Sequence, residues 1–250
     1  MSAPSNSDRS DRQETETRLS IPSFPHEWPL LGPAKPSETA LLVIDMEVDG
    51  VLDGGWFTDM GFDLSLIRAI VPGLRDLLDA ARSVPGMNIV HFTNSFSPDL
   101  SDLPDFKREQ AIRFGTPYGK PNKFGRGMIY GEPGAGIVDE LIPLPGEPVF
   151  NKTTYSTFGN EPFRRWIEAR DITSVIITGI TSNVCVAATL YAAVDHGYDC
   201  LTISDGVAGV NHEVTENLLG LVRYQGGLFG AETDASSAAR ALRAYAGALV

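Results

Sequence analysis

The chain has 250 residues, 42% of them hydrophobic and 21% charged, enough apolar material for a sizeable core and the length of one large domain or two small ones. Its formal net charge of −12 repels phosphate backbones and argues against a nucleic-acid or anionic-membrane binder. No apolar run approaches the roughly 18 to 20 residues that a membrane-spanning helix needs, and with only two cysteines, Cys185 and Cys200, neither a disulfide framework nor a four-cysteine metal cage can form.

In chain order, residues 1–20 are rich in Ser, Asp, Arg, Glu and Thr and read as a solvated, disordered leader. With a polar start in place of a signal segment, the expected location is cytoplasmic. Residues 21–37 are rich in proline, with Phe24, Trp28, Leu30 and Leu31 interspersed. That composition excludes a helix and suits an extended arm lying on the body or on a partner subunit. The remainder, 38–250, reads as a single domain.

Thr39-Ala-Leu-Leu-Val-Ile-Asp45 is a continuous apolar run closed by an acid, the pattern of a central parallel strand buried on both faces. Similar runs recur at 88–92, 148–151, 174–178 and 199–203, with helical patterns at about 64–83, 161–170, 184–197, 211–223 and 234–248. Alternating strands and helices predict a three-layer α/β/α sandwich with a mostly parallel sheet of about six strands. The stretch 93–147, rich in Gly and Pro, reads as a long covering loop. Gly54-Gly55 and Gly226-Gly227 lack the spacing of a phosphate-cradling loop.

Ligands of such sheets bind at the carboxyl ends of strands, which is where Asp45, Lys152 and Cys185 fall. A carboxylate can take a thiol proton, and an ammonium stabilises developing negative charge. The start of the helical pattern at Val184 is expected to lower the Cys185 pKa through its dipole. Read singly, each residue has a plainer role: an inert buried thiol, a turn-forming Asp, a solvated Lys. Cys200, inside a strand, reads as a structural thiol.

Thr178-Gly-Ile-Thr-Ser-Asn-Val-Cys185-Val-Ala-Ala-Thr189, with Leu42-Val-Ile-Asp45-Met46 and Asn151-Lys152-Thr-Thr-Tyr155-Ser156-Thr-Phe158, resembles the isochorismatase-like cysteine hydrolases in three motifs in the right order. The resemblance implies Asp45 as general base, Lys152 as electrostatic partner and Cys185 as nucleophile. It also implies a cis peptide at Ile180-Thr181, and an oxyanion hole made by the N–H groups of Thr181 and Cys185. Within the family the chain is most similar to amidohydrolases of ureido compounds, biuret hydrolases among them. That similarity implies a small amide or ureido substrate, a thioester intermediate, no cofactor, and a homo-oligomer, dimer or tetramer.

The same similarity makes Gln225 a substrate-binding residue, although beside Gly226 and Gly227 it reads equally as a helix-capping amide. Tyr155, within the lysine motif, joins it as a candidate substrate contact. Glu47 stands where those relatives carry an amide, and either faces substrate or belongs to a structural network. Tyr130 stands in place of an arginine, and Phe96 and Ser97 in place of His and Arg. These exchanges favour a larger or less anionic amide than biuret, and leave a lactam or aryl-amide hydrolase, or a binding protein that keeps the fold without catalysis, as the other readings. Zinc-binding relatives carry an Asp-x-His pair after the second strand. Here that stretch is Thr93-Asn-Ser-Phe-Ser-Pro98 and His91 stands alone in a strand, so no metal is expected.

Overall fold

The computed structural model describes residues 18–249. Its strands are β1 (Thr39–Ile44), β2 (Asn88–Asn94), β3 (Pro121–Asn122), β4 (Gly125–Arg126), β5 (Val149–Lys152), β6 (Ser174–Ile180), β7 (Asp199–Ala208) and β8 (Ala231–Thr233). The helices are α1 (Val48–Val51), α2 (Trp56–Asp59), α3 (Ser65–Arg82), α4 (Asp105–Arg113), α5 (Glu161–Glu168), α6 (Ala187–Asp195), α7 (His212–Arg223) and α8 (Ala235–Gly247). Six strands form one sheet in the order β5-β2-β1-β6-β7-β8, and every pairing in it is parallel.

Both sheet faces are covered, because the strand side chains alternate between two apolar layers. Leu41, Val43, Ile176, Leu201 and Ile203 pack with α3 and α8, whereas Ala40, Leu42, Ile44, Val175 and Ile177 pack with α5, α6 and α7. α3 buries Ile67, Ile70, Val71, Leu74, Leu77, Leu78 and Ala81, the spacing of a core-facing helical stripe. Asn160, Asn211 and Asp234 cap α5, α7 and α8 by accepting from the N–H groups of Phe163, Val214 and Ser237.

The chain order runs outward from β1 through β2 to β5, then returns to β6 and continues to β8. The reversal lies between β1 and β6, and at such a switch point the strand ends diverge and leave a crevice. Asp45 and Cys185 flank it.

The sequence pattern places five of the six sheet strands and the helices α3, α5, α6, α7 and α8. The structure adds β8, a three-residue edge strand paired with β7. It also resolves 93–147 into α4, the β3-β4 hairpin and several short turns rather than one loop. The expected leader falls outside the described residues over 1–17. Its last part is ordered: Leu19 is buried and pairs with Ala34, because its side chain joins the same apolar layer as α3. The proline-rich arm lies on its own body, with Trp28 fully buried and Phe24 bridged to Glu232 of β8. Among the described residues no helix is long and apolar enough to cross a membrane.

Gly179 fixes how closely β6 approaches β1. It has φ 106°, and a Cβ there would stand 2.0 Å from the Ile44 carbonyl oxygen. Gly179→Ala must therefore part the two strands that carry the crevice. Chemical denaturation should show a loss of about 3 kcal/mol or more, while Gly220→Ala in α7, where a Cβ meets nothing within 4 Å, should be neutral or slightly stabilising.

Candidate active site

Asp45 is the first residue beyond β1. Its backbone turns through φ 54°, a left-handed conformation that Asp tolerates better than most side chains, and its N–H donates to the Phe92 carbonyl at 3.1 Å. Lys152 ends β5, two strands away in the sheet. Its fully buried side chain passes β2, and Nζ donates to Asp45 Oδ2 at 2.7 Å and to the Thr154 carbonyl at 3.2 Å. Asp45 Oδ1 is buried with no hydrogen-bond partner among the described residues. Cys185 is half-buried, and its thiol interacts with both Asp45 and Lys152.

Cys185 sits in a π-helical turn, Ser182–Val186, ahead of α6. The turn opens at Thr181, whose carbonyl accepts from the N–H groups of both Val184 and Val186 at 3.1 and 3.2 Å. The Ile180–Thr181 peptide is cis. π-Turns of this kind widen a helix by one residue and recur at functional sites. Thr181 and Cys185 both line the cavity.

The electrostatics differ from the helix-dipole expectation. Burial, then the Asp45 charge, push the Cys185 thiol up and outweigh the opposing pull of Lys152. Removing water from a thiolate costs more than one turn of helix returns, and the nearest charge is a carboxylate. Burial also raises Asp45, against the lowering effect of Lys152. For Lys152 burial acts downward, but Asp45 and Cys185 overcome it and the ammonium is held above its usual range. Glu47 is raised well above the usual carboxylate range by burial and by the Asp45 charge.

Asp45, Glu47 and Cys185 open into a cavity of about 260 Å³, with Lys152 behind Asp45. Glu47 and Tyr155 line it, as do Asn94, Lys107, Trp56, Phe57, Phe62, Phe114 and Tyr118. Trp56 and Tyr118 stack with centroids 5.2 Å apart, and the buried Phe96 meets Tyr118 edge-on at 4.8 Å. Glu47 also serves the network: its Oε2 accepts the Asn94 N–H at 3.0 Å. Tyr130 is 61% exposed and Gln225 sits on an exposed turn, and neither is among the residues lining this cavity. Both residues follow backbone turns that aim them outward, Gln225 at φ 48°.

Sequence reasoning passed over Lys107, Tyr118 and Asp49. The first two lie in the irregular stretch, where no periodicity marks a direction. Asp49 is fully buried and accepts from the Trp56 N–H at 3.2 Å, the Asn122 side chain at 2.7 Å and the Met128 N–H at 2.7 Å. It ties the cavity-lining residues Trp56 and Met128 to the segment after β1, and its spacing from Asp45 and Glu47 was the available signal. His91 is a core residue whose Nε2 lies 3.1 Å from Glu147. Cys200 is buried, its Sγ 3.4 Å from the Tyr198 carbonyl. Among the described residues no three or more His, Cys, Asp or Glu side chains are grouped to hold a metal ion.

A parallel α/β sandwich with a carboxylate, an ammonium and a thiol at its switch point defines a class of enzyme, and the comparisons place the chain within it. Residues 39–233 match the isochorismatase domain. The ureidoacrylate amidohydrolase RutB of Rhizobium rhizogenes is 31% identical over 198 residues, 77% of this chain and 78% of that protein. The RutB of Cronobacter turicensis is 35% identical over 160 residues, 62% of this chain and 68% of that one. Among solved structures, a cysteine hydrolase from Pseudomonas syringae pv. phaseolicola superposes with a TM-score of 0.71 at 21% identity, covering 86% of this chain and 96% of that one. The chain belongs to the isochorismatase family and is a hydrolase.

Glu47 supplies a pH test of this arrangement. Its pKa is higher folded than unfolded, so its protonated form favours folding at low pH and that contribution fades as pH rises through the folded pKa. Glu47→Gln keeps an acceptor for Asn94 and never ionises. The melting temperature of the variant relative to the parent should therefore climb from pH 4 to pH 8, by about 2 to 4 °C for each kcal/mol. A difference that is flat or falls with pH would contradict a protonated Glu47.

Proposed function

We propose that this protein is a cysteine-dependent amidohydrolase that cleaves a C–N bond, other than a peptide bond, in a small ureido or carboxamide compound through a thioester. The observation that carries the reading is the 2.7 Å bond from Lys152 to one Asp45 oxygen while the other, partnerless, shares its surroundings with the Cys185 thiol. The ureidoacrylate amidohydrolases named above support the substrate class.

Asp45 takes the thiol proton as Cys185 sulfur attacks the carbonyl carbon. A high thiol pKa is compatible with this, because proton and bond move together and a raised Asp45 pKa narrows the gap the proton must cross. The N–H groups of Thr181 and Cys185, with the Lys152 charge nearby, stabilise the oxyanion. The protonated Asp45 then gives its proton to the leaving nitrogen as the C–N bond breaks and ammonia or an amine departs. Asp45 next deprotonates a water, whose oxygen attacks the thioester, and the expelled sulfur recovers the proton. One carboxyl group thus serves as base and acid in alternation.

In this reading 38–250 is one catalytic domain of a cytoplasmic homo-oligomer working without metal or cofactor, and the exposed Leu30, Leu31 and Leu228 support assembly through the arm side. The aromatic wall of the cavity favours a second reading, a lactam or aryl-amide hydrolase with the same three residues.

Ammonia or amine release from biuret, triuret, ureidoacrylate, maleamate, nicotinamide and aryl amides tests both. Turnover of a ureido compound should vanish in Cys185→Ala and drop about 10²- to 10⁴-fold in Asp45→Asn. Release from aromatic or lactam substrates alone would keep the mechanism and reject the ureido class. Turnover that survives Cys185→Ala would reject the mechanism.

A further inference from the structure

The cavity is lined by an ammonium that the proposed chemistry does not use. Lys107, on α4, lines the same cavity as Cys185. Its Nζ donates to the Thr153 carbonyl at 2.7 Å and stands 4.1 Å from the centroid of the Tyr155 ring and 5.7 Å from that of Phe96. Ring faces stabilise a cation without consuming its donors, so one of three N–H groups is spent on Thr153 and two remain.

The contrast with Lys152 is instructive. Lys152 Nζ rests on the next carbonyl, Thr154, so the two ammoniums are anchored one residue apart, about 3.8 Å along the backbone. Lys152 is neutralised by Asp45 at 2.7 Å, whereas Lys107 forms no ion pair with a carboxylate among the described residues. Among the described residues the only other acid lining the cavity is Glu47, which burial and Asp45 hold toward its neutral form. Lys107 thus lines the cavity without a carboxylate partner among the described residues, its pKa drawn down by burial and by the Lys152 charge, in a chain whose net charge is −12.

We infer that Lys107 is a carboxylate-binding subsite, and that the substrate is a ureido or carboxamide compound bearing an anionic group away from the bond being cut. The inference rests on the proposed amidohydrolase reading and narrows it. The negative net charge opposes anions at large, so a local half-buried cation is what lets an anionic compound dwell beside Cys185.

A structural role competes: Lys107 could simply pin the Thr153 carbonyl. Alkylation of Cys185 in the full-length protein separates the two, using iodoacetate, an anion, against iodoacetamide, its neutral counterpart. Lys107→Gln should lower the iodoacetate-to-iodoacetamide rate ratio about tenfold, and Lys107→Arg should retain it. On ureidoacrylate and its methyl ester, Lys107→Gln should raise KM for the acid alone, with kcat little changed. A rate ratio that is the same in Lys107→Gln as in the parent, or equal losses on acid and ester, would overturn the subsite while leaving the amidohydrolase reading intact. Failure of both reagents to modify Cys185 would overturn the nucleophile and the subsite with it.

Discussion

An ammonium and a carboxylate share a 2.7 Å bond with both side chains almost wholly out of water, and the arrangement of the site follows from that constraint. Taking either ion out of solvent costs several kcal/mol, and their attraction offsets the cost only if both are held in good geometry. The ends of β1, β2 and β5 supply that geometry. Asn151 Oδ1 accepts from Thr93, from the Ser95 N–H and from the Ser95 hydroxyl, and its carbonyl accepts from Asn160. Asn94 donates to the Thr154 carbonyl at 3.1 Å, the same oxygen that receives Lys152. This polar shell locks two neighbouring strand ends, and so aims a long, flexible side chain at one oxygen of Asp45.

The segment after β1 places three buried acids at alternate positions, and their surroundings give them different work. Asp45 faces an ammonium. Glu47 receives one backbone N–H, sits beside the Asp45 charge, and is driven toward its protonated form. Asp49 collects three N–H donors, two of them from residues 73 and 79 positions later in the chain, and so anchors the distant cavity wall to the strand that carries Asp45. Five residues of sequence thus join Asp45 to the cavity-lining residues Trp56 and Met128.

Such long-range ties explain what could be read from sequence and what could not. The strands at 39–44 and 174–180 were legible because burial on both faces leaves continuous apolar runs, and Asp45 and Lys152 were legible because polar residues closing such runs converge on one edge. β8 was not: Ala231, Glu232 and Thr233 are too few to show a period, and their pairing with β7 is decided by tertiary contact. The turn at Ser182–Val186 reads as the beginning of one long helix, because no side chain in it marks a π-turn. Within 93–147 the cavity residues Lys107 and Tyr118 face inward while Tyr130 faces solvent. That choice is made by hydrogen bonds such as the one from the Tyr130 N–H to the Phe96 carbonyl, between segments with no local signature.

The thiol's raised pKa gives this arrangement its chemical character. A cysteine at a strong helix N-terminus would rest as a thiolate, reactive toward any electrophile or oxidant that reached it. Here burial and the Asp45 carboxylate keep the proton on sulfur. In the proposed reaction the proton leaves only as a carbonyl arrives, since charge appearing on the carbonyl oxygen is what the N–H groups and the Lys152 ammonium are placed to receive. The charge balance of Asp45 and Lys152 is then restored at the end of each half-reaction. In the proposed cycle the site returns to a neutral pair with a protonated thiol after every turnover and keeps no permanent charge for an anionic ligand, and in the proposed subsite that task falls to Lys107, outside the pair.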